Sequence, residues 1–179
     1  MMPGVRALLL ALLVCLVGCG GGEKLKSPPP SAPRQLTVTS PDFPANGPIP
    51  TRFSCDGEKA RPALRFAGVP AGAAELALVV VDPDAGGFVH WTVYGLPGST
   101  RALPSTGLPQ GAREGENSNG DSGWTAPCPP DGTHRYEFRL YWLKSASGLK
   151  AGAKPDEVAD AVRAQAGGSG LLVGRYTRR

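Results

Sequence analysis

Histidine is nearly absent from this chain: His90 and His134 are the only two in 179 residues. Recognised catalytic frames are missing too. There is no G-x-S-x-G elbow, no P-loop and no G-x-G-x-x-G in a βαβ setting, which argues against the α/β-hydrolase, nucleotide-hydrolysing and dinucleotide-dependent classes. No block of five or more like charges occurs, and the formal charge is only +4. A nucleic-acid footprint needs a denser basic face, so no nucleic-acid partner is expected, nor membrane attraction through charge alone. Internal repeats and a second domain are also lacking. No apolar run reaches the roughly 20 residues that span a bilayer as a helix.

What is present begins with an export signal. Arg6 precedes an unbroken apolar stretch of eleven residues, Ala7 to Val17, the length of a signal-peptide core. It ends in Leu16-Val17-Gly18-Cys19, which resembles the lipobox of bacterial lipoproteins. Residues 1–18 are therefore expected to be removed and Cys19 to be lipidated. Gly20 and Gly21 follow, with no Asp to suggest inner-membrane retention. The expected location is a lipid-anchored place in the cell envelope, outer membrane rather than inner. Residues 19–34 read as a Gly/Pro-rich tether with nothing to bury, and 35–179 as the domain.

The 25 glycines and 19 prolines favour turns and short strands over long helices. Leu36 to Thr39 alternates as a half-buried strand. Leu76 to Val81 (LALVVV) reads as a central strand buried on both faces. Phe88 to Leu96 is aromatic and β-branched, and His134 to Leu143 alternates; both are expected strands. Residues 97–133 read as loop. Pro155 to Ala166 is the expected helix, with acids in its first turn and Gly167 to stop it. Val173 to Tyr176 adds a last strand.

The scarce polar residues sit at edges of these elements. Asp82-Pro83-Asp84 follows the apolar run directly, His90 lies inside an apolar strand, and His134 opens another after a Pro/Gly loop. Singly, each has a bland reading: a satisfied structural histidine, or an Asx turn. Together in one small domain they read as a site.

The segments DPDAGGFVHWTVYGLP and APCPPDGTHRYEFRLYWL resemble the two signature regions of the phosphatidylethanolamine-binding proteins, specifically the bacterial Raf-kinase-inhibitor-like branch. Phe53-Ser54-Cys55-Asp56-Gly57, Pro62 to Phe66 and Leu172 to Tyr176 fit the same pattern, so the resemblance covers about Leu36 to Tyr176. It implies a mainly β fold, a large antiparallel sheet packed on a smaller one with one or two peripheral helices. It also implies a non-enzymatic pocket for a small phosphate-like anion or phospholipid head group. Carried over, the ligand-binding residues are Asp82, Pro83, Asp84, His90, Trp91, Pro127, Cys128, His134 and Tyr136, with the loop through Pro127 and Cys128 offering backbone N–H groups. A protonated imidazole beside a carboxylate would supply charge and donors.

Departures from the pattern are Gly86 for a proline, Arg61 for a serine, Ala63 for a proline, and no histidine in Ala166 to Gly170. The first of these is expected to loosen one pocket wall. Cys55 and Cys128 are a candidate disulfide in an exported protein. Three rival readings remain open: a metal site of Asp82, Asp84, His90 and His134, a weak hydrolase using a Cys128/His134 dyad, and an envelope protein-interaction module with an unidentified partner. No cofactor and no resident metal are expected.

Overall fold

The computed structural model describes residues 24–25 and 29–178; the expected signal sequence and the expected lipidation site Cys19 lie outside them. Two antiparallel sheets form the domain. The larger has five strands in the order β6-β4-β3-β7-β8: β3 Glu75–Asp82, β4 Phe88–Pro97, β6 Arg113–Glu114, β7 Thr133–Leu143 and β8 Ala166–Thr177. The smaller has the order β1-β2-β5: β1 Thr37–Thr39, β2 Leu64–Ala67 and β5 Ala102–Leu103. Among the described residues, one helix, α1 Pro155–Gln165, and a short 3-10 turn at Thr51–Phe53 complete the elements.

All eight residues of β3 are buried, because this strand is central and covered on both faces. Leu76, Leu78 and Val80 point inward with Trp91, Tyr136, Phe138 and the small sheet's Val38, Leu64 and Phe66. Ala77, Val79 and Val81 point outward and pack under Val158, Ala159 and Val162 of α1. The helix starts at Pro155, which needs no N–H partner there, and Glu157 accepts the Lys154 N–H at 2.8 Å.

The C-terminal strand is much longer than expected, and its glycines explain why. Glycine disfavours strands on its own account, yet a Cβ on Gly167 would meet the Trp142 ring at 2.0 Å and one on Gly170 would meet the Leu36 carbonyl oxygen at 2.7 Å. Glycine is used here for close approach, and Gly167 lies in β8 rather than ending the helix. Three short strands were also missed: β2, and β5 and β6 within the stretch read as loop. They are too brief for periodicity to show.

The tether reading needs correction where it is described. Leu25 is buried against Val81 and Val89 on the outer face, and the Pro30 carbonyl accepts the Tyr141 hydroxyl at 2.8 Å. Ser169 donates its N–H to Pro33 and its hydroxyl to Ala32. Residues 32–36 thus cover the edge of β8 at Ser169, as residues 46–49 do at Val173 and Arg175.

Candidate functional site

Strand parity sets the site. Even-numbered residues of β3 and β7 face inward, so Asp82 at the end of one and His134 at the start of the other arrive on the same face. His134 Nδ1 lies 2.7 Å from Asp82 Oδ2. Asp82 is only 2% exposed, and its other oxygen accepts the Ala85 N–H at 3.0 Å. Gly86 and Gly87 take positive φ angles of 68° and 83°, and their N–H groups close back onto Pro83 and Asp82. Glycine in place of proline thus makes a closed left-handed turn, rather than the loosened wall expected.

His90 reaches the site through a β-bulge. Val80 pairs with Trp91 and Val81 with Val89, leaving His90 as the extra residue. Bulges re-aim side chains. Here His90 and Trp91 come to the inner side in succession, with the His90 ring 5.1 Å from Tyr136 and 6.4 Å from Trp124. His90 and Thr125 then exchange bonds: Thr125 N–H to the His90 carbonyl, and His90 Nδ1 to the Thr125 carbonyl, each 2.9 Å. Burial pushes the His90 pKa down, against the pull of Thr125 and Asp82. Desolvation outweighs its neighbours and favours the neutral ring of His90.

The cavity between these groups is about 300 Å³, lined by Asp82, His90, His134, Cys128, Asn119 and Phe88 among others. Other residues carried over from the resemblance fall elsewhere. Trp91 is fully buried beneath it, with its indole N–H on Glu114 at 2.7 Å and the Arg61 guanidinium 4.6 Å above its ring. Arg61, a departure from the family pattern, thereby fastens the loop at Pro104 and Gly107 to the core. Tyr136 packs edge-on against His90, its buried hydroxyl without a partner among the described residues. Pro83 and Pro127 are not in the lining. Pro127, like Pro129 and Pro130, has no N–H, so Ala126 and Cys128 alone can supply amides from that stretch. The Pro127 carbonyl accepts the Cys55 N–H.

Asp84 turns away from the cavity. It accepts the Arg135 backbone N–H at 2.8 Å and its guanidinium at 3.0 and 2.6 Å. These side-chain bonds, aided by the backbone bond, hold the Asp84 carboxyl at about 2 against partial desolvation. The folded pKa lies below the unfolded value of about 4. Stability from this pair is therefore full above about pH 4 and lost as pH falls through about 2. Asp84→Asn is expected to remove that acid-range dependence while leaving phosphate affinity within about two-fold; acid unfolding curves of the two proteins check it.

Cys55 and Cys128 form a disulfide, with Cα atoms 5.3 Å apart. Cys128 therefore has no free thiol for the Cys128/His134 dyad considered above. Among the described residues no three His, Cys, Asp or Glu side chains converge as a metal site. Asn119 and Thr125 were missed by sequence reasoning. They belong to a loop organised by Asn117, whose Oδ1 accepts the Asn119 N–H at 2.8 Å. A larger groove of about 720 Å³ lies beside Asn46, Ile49 and Tyr176. It contains neither histidine, and its Asp56 is occupied by Tyr176 and Arg178.

Residues 39–177 match the family model described as phosphatidylethanolamine-binding protein. The chain belongs to that family. Among its relatives is the Mycobacterium tuberculosis protein named "Putative lipoprotein LppC", 41% identical and aligned over 93% of this chain and 92% of that one. Two crystal structures share the fold. A protein from Chlamydia trachomatis described as a "Putative PhosphatidylEthanolamine-Binding Protein (PEBP) Homolog" superposes with a TM-score of 0.76 at 32% identity, over 82% of this chain and 99% of that one. Escherichia coli YbcL, described as a member of the mammalian family, gives 0.75 at 28%, over 81% and 99%. The mainly β fold with two antiparallel sheets is thus that of the phosphatidylethanolamine-binding proteins.

Proposed function

We propose that this phosphatidylethanolamine-binding family member is a non-enzymatic, lipid-anchored protein of the bacterial envelope that holds a phosphate-like anion or a phospholipid head group between Asp82, His90 and His134. The observation that carries the reading is the His134–Asp82 hydrogen bond of 2.7 Å at the wall of a small cavity. The carboxylate fixes the imidazole by holding Nδ1, so that Nε2 of a protonated His134 is left to donate to an oxyanion. A charge-assisted bond of that kind is about twice as strong as a neutral one. The N–H groups of Ala126 and Cys128 make no bond among the described residues, and such amides cradle oxyanions without bringing a side-chain charge.

Anchoring rests on Cys19 at the end of the Leu16-Val17-Gly18-Cys19 motif, together with the lipoprotein name of a relative 41% identical. The Gly20-Gly21 pair after Cys19, with no Asp, favours the outer membrane over the inner. Calorimetric titration of the mature chain with phosphate, phosphoethanolamine and a short-chain phosphatidylethanolamine tests the reading. Saturable heat with at least one is expected; silence with all three would overturn it.

A further inference from the structure

Resting on that reading, we propose that the cavity selects ligands bearing both a negative charge and a donor hydrogen, with Nε2 of His90 and the Asp82 carboxylate as the acceptors that impose the second requirement. A carbonyl oxygen can only accept a hydrogen bond. The Thr125 carbonyl 2.9 Å from His90 Nδ1 therefore places a hydrogen on Nδ1. A neutral imidazole has one N–H, so the other nitrogen is a bare lone pair. Among the described residues no hydrogen bond reaches His90 Nε2, and His90 lines the cavity.

The surroundings keep that ring neutral. Phe88, Trp124 and Tyr136 pack around it at centroid distances of 4.8, 6.4 and 5.1 Å. The charged or titratable groups near it are Asp82 from β3 and His134 and Tyr136 from β7. Asp82 is itself a pure acceptor, taking the Ala85 N–H on one oxygen and His134 on the other. The fixed charges nearby are therefore one carboxylate against at most one imidazolium. An oxyanion with no hydrogen of its own meets donors on the His134 and loop side, but lone pairs facing lone pairs on the His90 and Asp82 side. Sites built to pair with a ligand hydrogen reject an analogue lacking it, because the buried acceptor is left unpaired.

Two chemistries satisfy the rule. Inorganic phosphate keeps a P–O–H group throughout the neutral range, and a phosphomonoester keeps one below its second pKa of about 6. A phosphodiester has no such group, but an ethanolamine ester carries an ammonium that can donate instead. Sulfate and dimethyl phosphate lack any donor hydrogen while keeping the tetrahedral shape and the negative charge.

The test uses the mature wild-type chain, so no variant need fold. Calorimetric titrations at about pH 6 would compare inorganic phosphate, sulfate, dimethyl phosphate and glycerophosphoethanolamine. Phosphate is expected to bind about 10- to 100-fold more tightly than sulfate, the range that one unpaired buried acceptor produces. Glycerophosphoethanolamine is expected to exceed dimethyl phosphate by a similar factor if the source is a lipid head group, and not to bind if the source is a free monoester. Equal affinity for phosphate and sulfate would overturn the donor requirement while leaving the anion pocket standing. Failure of all four probes to bind would overturn the anion reading and this inference with it.

Discussion

His134→Ala is expected to weaken phosphate or phosphoethanolamine binding by about 100-fold, with the fold retained. Two losses combine. A hydrogen bond to a charged group contributes about 1.5–3 kcal/mol, or roughly a ten- to hundred-fold change in affinity. In addition, Asp82 would keep its carboxylate while losing the only imidazole bonded to it, so a buried negative charge would face the incoming anion. The fold should tolerate the change. The Asp82 turn keeps its Ala85 bond, and the His134 side chain sits 14% exposed at the start of β7 rather than in the core. Calorimetry and circular dichroism on the same preparation separate the two effects. Unchanged affinity would remove His134 from the site.

Replacing Cys55 and Cys128 together by serine is expected to destabilise the domain by about 4 kcal/mol, from the chain entropy released when a loop of this length is opened. The cross-link joins residues 73 apart. The thermal midpoint should fall by on the order of 10–15 °C for a domain of this size. Binding should suffer as well, because Cys128 lines the cavity and the Cys55 N–H holds the Pro127 carbonyl. A reducing agent should reproduce both effects in the wild-type protein and change nothing in the double variant. Mass mapping that found Cys55 and Cys128 alkylatable without reduction would contradict this.

Much of the site was legible because it obeys strand alternation. The run Leu76 to Val81 identified the central strand, and counting by twos from Leu76 to Asp82 and from Phe138 back to His134 brings that pair to one face. The resemblance supplied the reason to look there. What escaped notice depends on other parts of the chain. The stretch from Gly167 to Gly170 reads as a breaker until Trp142 and Leu36 are seen to need its empty space. Asp84 reads as a pocket acid, but Arg135 points away from the cavity opposite His134 and takes it. His90 reads as a pocket histidine in an apolar strand, yet the bulge and the distant loop that bury it and hold its Nδ1 have no local signal. Leu25 reads as part of a tether because a single apolar residue carries no periodicity, yet it is buried.

In the proposed site two histidines with different roles flank one anion pocket, His134 paired with Asp82 and donating, His90 neutral and accepting. With no other histidine in the chain, the imidazole nitrogens can be followed without ambiguity by NMR during a titration with inorganic phosphate. The expected result is a saturable change at His134 Nε2 toward the protonated form, while His90 keeps its proton on Nδ1 and an unprotonated Nε2 that shifts as a hydrogen-bond acceptor. Phosphate that left both imidazoles unchanged, or that protonated His90 rather than His134, would rule out this division of roles.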